Sequence, residues 1–312
     1  MSGDDASSPF VSVIMPAYNA AEHIAEAIRS VVAQTYTNWE LVVVDDGSTD
    51  DTGAVVAGLD LPADKLRYFT QRNAGEGAAR NRAIREARGD LIAFLDCDDI
   101  WEPARLERQI PVMAAGPYDL VYTNGYFVGD PTASPFPIAH GAHSGREMFE
   151  MLYQRNHIPV LSVLTTKHAV ARAGSFNEES ARLSEDYDLW LRMANTGSTF
   201  YGLADQLVGY RDHPGSHIHR PVDLLFGELA AVSQFDEQVQ AADPAAYRLR
   251  MRDIYNRLAA EQSAAGDLTA ARQSLRTLRR FEERWRVAIK AIALALARRR
   301  YGALLSRARG GS

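Results

Sequence analysis

Four short apolar runs in the first hundred residues constrain this chain more than any other feature. They are 11–15 (VSVIM), 41–44 (LVVV), 66–69 (LRYF) and 91–95 (LIAFL), and helix-length stretches separate them. Runs of this kind read as strands buried on both faces, and helical segments between them read as crossovers joining parallel strands. The first crossover begins near Asn19 and carries Ile24, Ile28, Val31 and Val32 at helical spacing. The second follows Ser48, Thr49 and Asp50, which are good N-cap residues. The third follows 73–77 (NAGEG) and stops near Gly89. The pattern predicts an α/β fold with a doubly wound sheet, whose ligands bind at the carboxyl ends of the strands.

Beyond residue 95 the alternation loosens. Residues 119–128 predict a strand, 130–145 a loop, 146–155 a helix, 160–166 an extended segment, 185–195 a short helix and 199–211 another extended segment. From about 221 the chain reads as all-helical, with alanine pairs flanking Gly266-Asp267 in the manner of an antiparallel helical hairpin. Two domains are expected, 1–219 and 220–312. The single cysteine, Cys97, forms no internal disulfide and points to a reducing compartment. Residues 1–9 lack the positive n-region of a signal peptide, and the stretch 287–297 is about half of what a membrane-spanning helix needs. A cytoplasmic protein is expected. The net charge of −6 divides unevenly, with +9 in 276–312 and −15 before it. An acidic body argues against nucleic acid as a partner.

Carboxylates gather where the strands end. Asp45 and Asp46 follow the second run, Asp96, Asp98 and Asp99 the fourth, and Glu185-Asp186 opens a later helix. Crowded carboxylates repel one another unless a cation intervenes, and hard oxygen ligands suit Mg²⁺ or Mn²⁺ beside substrate phosphates. Turn and cap chemistry explains Asp50 and Asp51 better. A dinucleotide-binding reading fails at the first turn, where Pro16-Ala17-Tyr18-Asn19 stands in place of G-x-G-x-x-G. There is no P-loop sequence.

The set VSVIMPAYNAAEHIAEAIRSVVAQTY, NWELVVVDDGSTDDT, QRNAGEGAARNRAI, GDLIAFLDCDD and EDYDLWLR resembles the family 2 glycosyltransferases over roughly residues 9–216. The resemblance implies a GT-A fold, Rossmann-like, with a mainly parallel central sheet flanked by helices; the C-terminal helical extension lies outside it. It implies inverting transfer of a sugar from a nucleoside diphosphate sugar to an acceptor hydroxyl. By position, Pro16, Ala17 and Tyr18 would line the nucleoside pocket, with Tyr18 on the base. Asp46 would accept from the base imide, which favours UDP- or dTDP-linked donors, since an acceptor-only carboxylate selects a ring N–H. Arg80 would approach the ribose or phosphates. Asp96-Cys97-Asp98 would be the metal-binding D-x-D element, with Asp98 on Mn²⁺ or Mg²⁺, Asp96 on ribose or sugar, and Cys97 a small filler. Asp99 would support the site or cap a helix.

Asp186 matches the general base, which an inverting displacement needs on the face opposite the leaving group. Glu185 beside it would contact substrate, Asp188 would be structural or acceptor-facing, and Trp190 would wall the acceptor pocket. His213 resembles the histidine that completes the metal or diphosphate site, with His217 and His219 as alternatives in register. Gly215 and Ser216 suggest a loop that closes over the donor. In the tail, Phe281, Trp285, Ile289, Ile292 and Leu296 share one helical face among arginines. That face would lie on an anionic membrane, suiting a lipid-linked or carbohydrate acceptor at the inner face, or pack on the protein. Two other functions compete: a nucleotidyltransferase on a similar fold, and a degenerate sugar-nucleotide-binding module of a larger assembly.

Overall fold

The computed structural model describes residues 8–62, 64–129, 136–179, 183–282 and 290. The chain divides into two compact units, with the boundary between His219 and Arg220.

In the first unit, β1 (Val11–Ala17), β2 (Trp39–Asp45), β3 (Leu66–Thr70) and β4 (Leu91–Phe94) are parallel neighbours in the order β3-β2-β1-β4. The crossovers are α1 (Ile24–Val32), α2 (Thr52–Ala57) and α3 (Glu76–Glu86). β1 and β2 are buried along their whole length, which explains their apolar runs, and the buried polar pair within them, Ser12 Oγ and Glu40 Oε1, hydrogen-bonds at 2.7 Å. Helix α1 buries Ile24, Ala27, Ile28 and Val31 against the sheet, whereas Val32, expected on that face, is exposed. The chain winds outward from β1 to β3, then returns through α3 to place β4 on the other side of β1. That reversal is the switch point at which doubly wound sheets bind ligands. Register aligns Ala17 with Asp45 and Ile14 with Phe94, so the residues after β1, β2 and β4 share one edge.

The rest of the sheet is mixed. β8 (Leu164–Thr166) runs antiparallel to both β4 and β6 (Leu120–Phe127), β6 runs parallel to β9 (Phe200–Tyr210), and β5 (Ile100–Trp101) and β7 (Gly141–His143) add antiparallel edges to β9. Parallel pairing still joins the longest strands. The expected extended segment 160–166 is strand only at its end, because Val160–Ser162 forms a 3₁₀ turn. Helices α4 (Arg105–Ala115), α5 (Gly145–Gln154), α6 (Lys167–Arg172) and α7 (Glu185–Asn195) complete the unit. Ser144 and Glu147 start α5 with a reciprocal capping box.

The second unit contains α8 (Pro221–Ser233), α9 (Asp236–Ala242), α10 (Pro244–Ala264) and α11 (Leu268–Leu278). Proline opens α8 and α10, and the Asp243 and Asp267 side chains cap α10 and α11. Gly266, at φ +83°, makes the turn between α10 and α11. Across that hairpin Ser274 Oγ donates to Gln262 Oε1 at 2.7 Å, and Ala259, Leu275 and Leu278 pack together. The amphipathic face expected from 281 to 296 falls outside the described residues except at Phe281. No helix among the described residues is long and apolar enough to cross a membrane.

Candidate active site

A cleft of about 330 Å³ opens at the carboxyl edge of β1, β2 and β4. Pro16, Ala17, Tyr18 and Asn19 line it from the end of β1, Asp46 from β2, and Asp96 to Asp99 from β4. Glu76 and Ala79 enter from α3, and Tyr210, His213, Gly215, Ser216 and His217 from β9 and the loop after it. Its volume is at the lower end of small-molecule sites.

The turn after β1 depends on Asn19, whose φ of +48° is a left-handed conformation that asparagine tolerates. Its Oδ1 accepts from Thr49 N at 2.8 Å and its own N–H donates to Ser48 Oγ at 2.9 Å, tying the ends of β1 and β2 together. Tyr18 is half exposed at the cleft. Asp50, as expected, does turn work, accepting from Ala21 N, Thr52 N and Thr52 Oγ1.

Asp46 is buried and already engaged. Oδ1 accepts from Gln71 Nε2 at 2.7 Å and Ala74 N at 2.9 Å, and Oδ2 accepts from Gly75 N at 2.7 Å. Gly47, at φ +81°, lets the turn after Asp46 run against this segment, since a Cβ there would stand 3.0 Å from Asn73 N. A carboxylate offers about four acceptor directions. Gln71, Ala74 and Gly75 take up three of them, a clamp that the sequence did not reveal.

Asp98 and His213 come together across the cleft, with His213 Nε2 at 3.0 Å from Asp98 Oδ2. Asp99, buried behind them, accepts from Arg211 N at 2.8 Å, and Arg211 Nε donates to Asp98 O at 2.9 Å. Of its two expected roles Asp99 therefore takes the supporting one. Burial, reinforced by Asp98 and Asp96, pushes its carboxyl well above the usual range. The other histidines pair with different carboxylates: His217 Nε2 lies 3.2 Å from Glu76 Oε1 in the same cleft, and His219 Nε2 lies 2.8 Å from Asp212 Oδ1. Gly215 N donates to His213 Nδ1 at 3.1 Å, which assigns the ring proton to Nε2. Burial likewise raises the Cys97 thiol, as suits an inert filler.

Among the described residues no group of three or more His, Cys, Asp or Glu side chains stands ready to hold a metal ion. Asp98 and His213 are nevertheless a fitting pair for Mg²⁺ or Mn²⁺, which bind through few protein groups and complete their shell with phosphate and water. Ligation through Nε2 requires the proton to move to Nδ1 and the Gly215 N–H to turn away.

Three expected contacts are corrected. Arg80 does not reach the cleft as a free cation: it is buried, with Nη1 on Glu185 Oε1 at 2.8 Å and Nη2 on Asp96 Oδ1 at 2.7 Å and Glu76 Oε2 at 3.1 Å. A guanidinium at the first turns of α3 finds carboxylates on three sides before it finds solvent. Glu185 correspondingly faces Arg80 and is buried rather than presented to substrate. Trp190 walls no pocket, being fully buried against Phe94 and Phe176 with Nε1 donating to Ile158 O at 3.1 Å.

Asp186, in the first turn of α7, is half-buried and lies outside the lining of the cleft. Burial first, then Glu185, and more weakly Asp96, raise its carboxyl to about 7, against the pull of Arg80. Asp188 is structural, pairing with Arg192 at 2.5 Å. Glu76 and His23 were not singled out from the sequence. An acid in a first helical turn reads as a partner of the helix dipole, and only the fold shows it facing the cleft. His23 enters from the start of α1, its ring 5.0 Å from that of His213.

The glycosyl transferase family 2 model matches residues 12–178. A putative teichuronic acid biosynthesis glycosyltransferase of Bacillus subtilis, TuaG, is 30% identical over 205 residues, which cover 65% of this chain and 79% of that protein. The Escherichia coli protein named UDP-Glc:alpha-D-GlcNAc-diphosphoundecaprenol beta-1,3-glucosyltransferase WfgD is 45% identical over 115 residues, 36% of this chain and 45% of its own. Among solved structures, Staphylococcus aureus TarS 1–349 in complex with UDP-GlcNAc superposes with a TM-score of 0.60 at 18% identity, covering 87% of this chain and 92% of TarS. The fold is thus that of the GT-A glycosyltransferases.

Proposed function

The chain belongs to glycosyl transferase family 2 and is a glycosyltransferase, and on that premise we propose a metal-dependent, inverting transfer from a UDP- or dTDP-linked sugar to an acceptor hydroxyl. Family membership sets aside the nucleotidyltransferase alternative, and the presence together of Asp46, Asp98 and Asp186 speaks against a degenerate module. The observation that carries the proposal is the meeting of Asp98 and His213 at 3.0 Å in the same cleft that Tyr18 and Asp46 line.

In this reading the base stacks on Tyr18, and its ring N–H takes the remaining acceptor direction of Asp46. Asp96 receives ribose or sugar hydroxyls. Asp98 and His213 would hold Mn²⁺ or Mg²⁺, which when bound supplies positive charge opposite the leaving diphosphate. Asp186 takes the proton from the acceptor hydroxyl as its oxygen attacks the anomeric carbon. The anomeric C–O bond breaks on the opposite face, and its electron pair leaves with the nucleoside diphosphate. The loop 213–217 covers the donor and limits hydrolysis.

The similarity to TuaG and WfgD supports polysaccharide or lipid-diphosphate-linked products, and that to WfgD supports a UDP-sugar donor. The basic tail offers an anionic membrane a contact suited to such acceptors. UDP with Mn²⁺ should raise the melting temperature well above either alone, since a ligand held at about 100 times its Kd adds about 2.7 kcal/mol. Equal shifts with and without Mn²⁺ would remove the metal from the reading. Less binding of residues 1–275 than of the full chain to phosphatidylglycerol vesicles supports the tail contact, and equal binding removes it.

A further inference from the structure

We propose that Arg80 is a positioning residue for the transfer, locking Asp96 on the donor side and Glu185, the neighbour of Asp186, into one rigid unit. The inference rests on the reading of Asp186 as the base.

The guanidinium fork spans two parts of the chain that lie far apart in sequence. Nη2 holds Asp96 Oδ1 at 2.7 Å just after β4, and Nη1 holds Glu185 Oε1 at 2.8 Å at the start of α7. A planar fork fixes both distance and direction, which a point-charge ammonium does not. Its side chain is only 3% exposed, so solvent screens these contacts little. The face of the guanidinium lies over Phe176, with Cζ 5.6 Å from the ring centroid. Nε is buried without a hydrogen-bond partner, so the orientation is dictated by the carboxylates held through the terminal nitrogens.

The surrounding backbone serves the same junction. Asn81, next in sequence, exchanges two hydrogen bonds with the Phe176 backbone, each 2.9 Å. Gly77 brings α3 close to this segment, for a Cβ there would stand 3.1 Å from Asn177 O. Gly77, Arg80 and Asn81 therefore join α3 to the chain that leads into Asp186. The charged groups that act on Asp186 are Glu185 on its own helix, Arg80 on α3 and Asp96 after β4. Arg80 is the cation among them. It sets where the base stands and how readily it ionises.

The test measures kcat, donor KM and the pH–rate profile for Arg80→Met, Arg80→Lys and Glu185→Gln in the full chain. Arg80→Met should lower kcat about 100-fold, as a small displacement at a reacting centre does, with a smaller change in KM. The acid limb of the profile should rise by about one pH unit when the nearby cation is lost. Arg80→Lys should restore the limb and only part of kcat. Glu185→Gln keeps a hydrogen-bond acceptor for Arg80 and should move the limb downward. If Arg80→Met does not fold, the last two variants carry the test. An unmoved limb in every folded variant, or full kcat in Arg80→Lys, overturns the proposal. Asp186→Asn separates the two readings: turnover retained there removes the base, whereas a dead Asp186→Asn beside unmoved limbs removes only Arg80.

Discussion

The two halves of the sheet build the cleft by different means. In the parallel half, backbone pairing sets the site directly: Asp46 N donates to Ala17 O at 2.7 Å and Leu95 N to Ile14 O at 3.1 Å, so carboxylates follow strands already in register. In the mixed half, β6 and β9 slip register around Asn124, and the loop after β9 is held by side chains. Arg211 reaches Glu26 at 2.7 Å, His213 reaches Asp98, and Ser216 Oγ donates to Arg211 O at 3.1 Å. A ladder of backbone bonds fixes position without charge. The loop is tied instead by one ion pair, Arg211 to Glu26, and by side-chain hydrogen bonds. The first half therefore presents its carboxylates from strands in register, and the second presents its side chains from a loop.

The comparison breaks most visibly at Asp186, which neither ladder holds. Asp186→Asn should lower kcat by about 1,000-fold while UDP affinity measured by calorimetry stays within a few-fold, as loss of a proton acceptor requires. Next comes the pair that spans the two halves. Asp98→Asn should weaken Mn²⁺-dependent UDP binding about 100-fold and His213→Ala about tenfold, if the strand-end ligand is fixed and the loop ligand adapts. Equal losses would put both halves on the same footing.

Acid should separate catalysis from stability. In the proposed mechanism Asp186 works as carboxylate, so kcat should climb as pH rises through about 7 and level off above it. The folded value lies above the ordinary 3.8, so the contribution of Asp186 to stability has the opposite sign. It is fully present below about pH 4 and is lost as pH rises through 7. A flat rate from pH 5 to 8 would contradict this.

Smallest are two glycine substitutions, one in each half. A Cβ on Gly89 would lie 2.5 Å from Phe10 O beside β1, and one on Gly202 would lie 2.0 Å from Ala139 O beneath β7. Each alanine should cost about 1–3 kcal/mol in urea denaturation. Gly89→Ala should also weaken UDP binding, because β1 carries Pro16 to Tyr18, whereas Gly202→Ala should not.

Legibility followed burial. β1, β2 and β4 read clearly because strands covered on both faces write continuous apolar runs. β5 and β7, at two and three residues, are too short to carry any period. Asp96, Asp98 and Asp46 are legible because turn-forming acids directly follow buried strands. Trp190 was misread because an indole after acidic residues looks the same whether it faces a ligand or fills a core. Arg80 was misread because its partner Glu185 lies 105 positions away, a separation that no local pattern encodes.

By itself, then, the sequence determined the doubly wound parallel half, the strand-end edge where the cleft opens and the family, since these follow from local periodicity and contiguous motifs. Only the tertiary structure decided which charges meet. It gave Arg80 to Asp96 and Glu185, His213 rather than His217 or His219 to Asp98, and Asp46 to the glycine-rich segment. An ion pair or hydrogen bond depends on distance and direction to within a fraction of an ångström, and those are set by packing between segments remote in the chain.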